Sequence, residues 1–103
     1  MVKLEQKIRS LEIKLAQSLN DIKTMPLTSI PSIIYDDWKK VNFAAKPYLE
    51  ALGDINHEGM YIQDPWTSIV AYFLGNARAW TGPVAKEVKA ELNRRLKINK
   101  MNG

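Results

Sequence analysis

Five prolines, Pro26, Pro31, Pro47, Pro65 and Pro83, cut the 103-residue chain into helix-length pieces. Proline has no backbone N–H to donate and its ring clashes with the preceding turn, so a helix that meets one ends or kinks. Between the prolines, apolar residues recur every three or four positions, the period of a helix face. The chain therefore reads as all-α, a long N-terminal coiled-coil-like helix followed by a compact three- or four-helix bundle. Residues 1–25 form the helix, 26–31 a proline-containing linker and 32–103 the bundle.

The N-terminal segment carries a heptad, with Met1, Leu4, Ile8, Leu11, Leu15, Ser18, Ile22 and Met25 spaced alternately by three and four. That spacing lays one narrow apolar seam along a helix, interrupted only by Ser18. Lys7 and Lys14 then take g positions and Glu5 and Glu12 e positions, where Lys7 meets Glu12 of a parallel partner. Leu4, Ile8, Leu11, Leu15 and Ile22 are the oligomerisation residues this pattern proposes. Packing of the same seam on its own domain is the alternative.

After the Pro26–Pro31 connector, helix two is expected from near Ser32 to Gly53, with Ser29 or Ser32 as cap and Asp36 and Asp37 in its early turns. Its stripe of Ile34, Trp38, Val41, Ala45, Tyr48 and Leu52 crosses Pro47 without rephasing, which predicts a kinked helix or two nearly coaxial ones. Residues 54–63 are polar and read as a loop in which Met60, Tyr61 and Ile62 touch the core. Asp64 before Pro65 is a helix start, and helix three is expected from Pro65 to about Trp80. Being apolar nearly all round, it is expected at the centre. Thr81-Gly82-Pro83 then opens helix four, whose Val84, Val88, Leu92 and Leu96 lie on one side.

Without cysteine there is no disulfide framework, thiolate metal site or cysteine nucleophile, and a lone histidine cannot supply a multi-histidine zinc site. His57-Glu58 sits in a polar loop with no nucleophile at a recognisable spacing, and the five glycines form no phosphate loop. No enzyme, no metal and no cofactor are expected. The N-terminus lacks the unbroken apolar run of a signal peptide and no window reaches transmembrane length, so a cytoplasmic protein with no membrane partner is expected.

The net charge of +4 divides unevenly: +2 over residues 1–24, −2 over 25–81 and +4 over 82–103. The basic end helices can steer the chain toward nucleic acid or an acidic protein surface, although cations also suit the C-terminal end of a helix dipole. Lys86, Lys89, Arg94, Arg95, Lys97 and Lys100 are the candidate partner- or phosphate-binding residues of helix four. Gly75 inside helix three costs about 1 kcal/mol relative to alanine. Either Ala71, Gly75 and Ala79 form a ridge for close helix packing, or the backbone opens to a ligand, with Asn76 and Arg78 as donors. Trp38 and Trp80 lie on apolar stripes and read as core. Trp66, at the start of helix three, is a possible aromatic contact.

The run Val-Asn-Phe-Ala-Ala-Lys-Pro-Tyr-Leu-Glu-Ala-Leu from Val41, and Tyr-Phe-Leu-Gly-Asn-Ala-Arg-Ala-Trp-Thr-Gly-Pro-Val-Ala-Lys-Glu-Val-Lys-Ala-Glu-Leu later on, resemble small uncharacterised proteins of bacterial viruses and mobile elements. The resemblance spans about residues 41–96 and carries no site residues with it. It implies a viral accessory factor of anti-defence type in the host cytoplasm. Such a factor is expected to self-associate and to inhibit a host protein by direct binding or by sequestering a nucleotide signal. A small basic DNA- or RNA-binding protein using helix four is the alternative.

Overall fold

The structure, a computed structural model, describes residues 21–102. A 3-10 turn at Leu27–Ser29 leads into α1, Ile30–Asp37, and α2, Lys46–Gly53. Two short strands follow, β1 at Met60–Tyr61 and β2 at Asp64–Pro65, then α3, Trp66–Gly75, and α4, Pro83–Asn102.

The expectation of an all-α chain with a long N-terminal helix is overturned on both counts. First, β1 and β2 pair antiparallel, with Met60 opposite Pro65 and Tyr61 opposite Asp64. The two-residue connection needs positive φ, and Ile62 supplies it at 58°, an uncommon conformation for a β-branched residue. Asp64 is thereby used in the strand pair, and Pro65 stands at the N-cap position with no side-chain cap bond. Second, no long N-terminal helix belongs to the fold described. At residues 22–25 the chain turns, and the Asp21 carbonyl accepts from the N–H groups of Thr24 and Met25, both at 3.1 Å, so the helix expected to run to residue 25 is broken there. Leu4, Ile8, Leu11 and Leu15 lie outside the described residues. Ile22, the last of the proposed oligomerisation residues, is 3% exposed and joins the core of its own chain.

Prolines start helices here more than they bend them. Pro31 and Pro47 each occupy the first turn of a helix, where a missing N–H goes unused. Of the two forms expected over 32–53, a kinked helix or two nearly coaxial ones, the chain takes separate helices, joined by residues 38–45. Of the expected stripe, Ile34, Trp38, Ala45 and Leu52 are buried in one core and Val41 and Tyr48 are half-buried against it, while Leu49, off the stripe, is buried with them. Asp36 and Asp37 consequently sit at the C-terminal end of α1 and not in its early turns. Asp37 has a different use: its Oδ2 accepts from the Trp80 indole Nε1 at 2.8 Å.

Helix α3 stops at Gly75, short of the expected Trp80. The Asn76 N–H donates to the carbonyls of Phe73 at 3.0 Å and Tyr72 at 3.2 Å, and its Nδ2 donates to Tyr72 at 2.8 Å, closing the helix end. A Cβ on Gly75 would find nothing within 4 Å, so this glycine mediates no close helix packing. Nor is α3 enclosed all round, since Tyr72 faces out and its ring lies against Tyr48, tilted by 30° with centroids 5.4 Å apart.

The core is centred on Phe73, Ile30, Ile34, Leu49, Leu52 and Val70, with Val88 and Leu92 of α4 closing it. Trp38 and Trp80 stack nearly parallel, 5.8 Å apart at 8°, and Phe73 meets Trp38 edge-on at 6.5 Å. Offset aromatic pairs add about 0.5–1.5 kcal/mol beyond area burial, so this cluster locks the residue 76–82 connection onto the ends of α1 and α3. Asn42 ties the other connection down. Its Oδ1 accepts from the Ala45 N–H at 2.7 Å and its Nδ2 donates to the Asn76 carbonyl at 2.9 Å.

Candidate functional site

Helix α4 presents its cations in two different ways. Toward the chain's N-terminal end lies a cluster built on Glu91, which is 4% exposed. Arg94 donates to it through Nε and Nη2, both at 2.7 Å, and Arg95 through Nε at 2.6 Å. Arg95 Nη2 also donates to the carbonyls of Ile22 and Met25, each at 2.7 Å, and Arg94 Nη2 to that of Lys23 at 3.3 Å. These carbonyls belong to the turn that follows Asp21, so α4 clamps that turn. Burial pushes the Glu91 pKa up, but the hydrogen bonds and charges of Arg94 and Arg95 outweigh it and hold the carboxyl below its usual range. Glu91 is ionised at neutral pH, and the cluster keeps one net positive charge.

That cluster forms one side of a groove of about 690 Å³. Leu27, Ile55, Trp66 and Ile98 give it apolar wall, while Asn56, His57 and Asn99 add polar groups. The volume falls within the range of small-ligand clefts, roughly 300–1,000 Å³. Local folding sets each wall. Asn56 Oδ1 accepts from the N–H groups of Glu58 at 2.9 Å and Met60 at 3.0 Å, shaping the 56–60 turn. Gly59, at φ 78°, brings its backbone under the Trp66 indole, and its carbonyl accepts from the Trp66 N–H at 2.8 Å. A Cβ there would lie 2.9 Å from Trp66 Cδ1, so glycine is required for this approach.

The other cations line a different face. Lys86, Lys89, Lys97 and Lys100, with Asn93 among them, fall within about 80° of helix circumference at 3.6 residues per turn. Lys86, Asn93, Lys97 and Lys100 are exposed. Lys89 is half-buried, donates from Nζ to the Trp80 carbonyl and lies 5.8 Å from the centre of that indole.

The residues singled out in the sequence thus separate. Arg94, Arg95 and Trp66 meet in the groove, whereas the four lysines share the second face. Asn76 is spent on closing α3 and Arg78 is exposed on the following connection, outside the groove lining. His57 is exposed, with Nε2 3.9 Å from Glu58 Oε1. Among the described residues no group of three histidine or carboxylate side chains is placed to hold a metal ion. No described helix is long and apolar enough to cross a membrane.

Sequence reasoning missed Leu27, Ile55, Asn56 and Ile98. Ile98 alone gave a signal: it is apolar, off the Val84–Leu96 stripe and surrounded by cations. The others come together only through the tertiary fold.

The chain matches no protein-family model, no curated protein and no solved structure. Its functional reading rests on its own side chains.

Proposed function

We propose that this is a non-enzymatic binding protein, an accessory factor of a bacterial virus or mobile element that disables a host component by occupying it directly. The observation that carries the reading is the groove: about 690 Å³, apolar walls and a cationic side whose two guanidiniums exceed their one carboxylate. A concave apolar surface with a few fixed polar groups is the usual form of a binding site. Its chemistry suits a partner segment that inserts an apolar side chain beside a carboxylate. A nucleotide signal fits the same chemistry, with its base against the Trp66 indole and its phosphate toward Arg94 and Arg95. The viral accessory role is part of the same proposal, taken from the resemblance read in residues 41–96.

The test is native mass spectrometry of the full chain purified from its host, beside an Ile98→Glu variant. Ile98 is 42% exposed, so the new carboxylate stays solvated while it repels an anionic occupant from the groove. The wild type is expected to carry a protein or nucleotide mass at fixed stoichiometry, and the variant to lose it with its circular dichroism unchanged. Retention of the same mass by the variant removes the groove from the function. The same spectra count subunits, which reads the proposed self-association directly.

A further inference from the structure

The lysine face of α4 plays no part in the groove. At 100° per residue, Arg94, Arg95, Ile98 and Asn99 centre roughly half a turn away from the lysines. We infer that this face is a second, separate binding site that takes the phosphate backbone of a nucleic acid.

The argument begins with what the face lacks. A solvated helix face usually interleaves acids and bases at i,i+4, each pair worth about 0.2–0.5 kcal/mol. Neither carboxylate of α4 lies on the lysine face. Glu91 is buried against Arg94 and Arg95, and Glu87 stands about 100° round from Lys86. The lysines instead form like-charge i,i+3 pairs, Lys86 with Lys89 and Lys97 with Lys100, which cost the helix as much as opposite pairs would contribute. An external row of anions relieves that repulsion.

The geometry fits such a row. Fourteen residues separate Lys86 from Lys100, about 21 Å along the axis at 1.5 Å per residue. A duplex presents one charge per strand about every 3.4 Å of axis, so the row of lysines spans several phosphates. The scaffold is rigid, because Val84, Val88 and Leu92 anchor the opposite side of α4 in the core. Lys89 is further fixed by its bond to Trp80, and Asn93, whose Nδ2 donates to the Lys89 carbonyl at 2.9 Å, adds an uncharged polar group between the lysine pairs. An anionic lipid surface is the weaker match. Surface-bound amphipathic helices bury an apolar face in the bilayer, and the apolar face of α4 is already spent on the core.

Fluorescence anisotropy with a labelled DNA duplex and the matching RNA duplex tests this on the full chain. With Lys89 held by Trp80, three phosphates neutralised by Lys86, Lys97 and Lys100 give a log–log salt slope near −2.7, about a 40-fold loss of affinity from 50 to 200 mM salt. Other cations of the chain add to that slope equally in every variant. Lys97→Gln with Lys100→Gln is therefore expected to make the slope shallower by about 1.8, a 12-fold smaller loss over the same range. The double arginine variant at those positions is expected to keep the wild-type slope, and Ile98→Glu to leave duplex binding in place. The last comparison separates this site from the groove, so either proposal fails without the other. No binding to either duplex at 50 mM salt overturns the inference, and so does an unchanged slope in the double glutamine variant. Binding confined to vesicles of one part phosphatidylglycerol to three parts phosphatidylcholine overturns it in favour of a membrane surface.

Discussion

Replacing Glu91 with glutamine removes one negative charge and little volume from the only polar side chain buried among the described residues. Three guanidinium nitrogens lie 2.6–2.7 Å from its oxygens. Glutamine retains one oxygen, and its amide turns a donor toward groups that are themselves donors. The Arg94 side chain is 41% exposed and recovers water, so the loss falls mainly on Arg95, whose side chain is 16% exposed. Charged hydrogen bonds contribute about 1.5–3 kcal/mol, and leaving one partner of a buried ion pair uncompensated costs about 3–5. Arg95 keeps its two carbonyl acceptors, which places the expected cost of Glu91→Gln at about 2–4 kcal/mol. Urea unfolding at pH 7 is expected to show a midpoint lower by about 2 M for a slope of roughly 1–2 kcal/mol/M.

The effect carries a pH signature. The Glu91 pKa is lowered from 4.5 in the folded chain, so its stabilisation is complete above the unfolded value and is lost as pH falls through the depressed folded one. Wild type and variant are therefore expected to converge in acid, where Glu91 is itself neutral. A variant as stable as wild type at pH 7 refutes the reasoning, as does a difference that persists undiminished in acid.

Two further substitutions probe the parts that shape the groove and close the core. Gly59→Ala forces a left-handed backbone on a residue with a Cβ and drives that carbon into Trp66; a loss of about 2 kcal/mol in chemical denaturation is expected, with a shifted tryptophan emission. Asn42→Ala removes both the bond to the Ala45 N–H and the bond to the Asn76 carbonyl, and is expected to cost about 1–2 kcal/mol; faster amide exchange at Ala45 and Lys46 locates the loss.

The legible part of the fold was its periodicity. Val84, Val88 and Leu92 are buried and Leu96 is half-buried, as the three-or-four spacing requires, and Gly82-Pro83 opens α4 with the Gly82 carbonyl accepting from the Lys86 N–H at 3.0 Å. Trp38 and Trp80 are core residues, as their place on apolar stripes indicated. The reading failed where a residue has two uses. Pro47 breaks a helix or begins one with the same chemistry, and only the turn at residues 43–45 decides between them. Asp64-Pro65 equally suits a helix cap and a strand end, and pairing with Tyr61 selects the strand. Arg94 and Arg95 looked like free cations because nothing in linear order says that Glu91 is buried or that the Ile22 and Met25 carbonyls come within 2.7 Å of α4.

By itself the sequence determined four things. These are the helical period of most described segments, the absence of thiol chemistry, the breaks near Pro26, Pro31, Pro65 and Pro83, and the basic character of α4, which follows from its composition. Each depends on residue type or on neighbours within about four positions, where local geometry is fixed by the chain. The tertiary structure alone decided the hairpin, the separation of α1 from α2, the turn at residues 22–25, and the groove. Those features join residues dozens of positions apart, through hydrogen bonds such as Arg95 to Ile22 and Asn42 to Asn76. Such bonds exist only after the core has closed, because burial removes the competing water and makes an unpaired carbonyl or carboxylate costly.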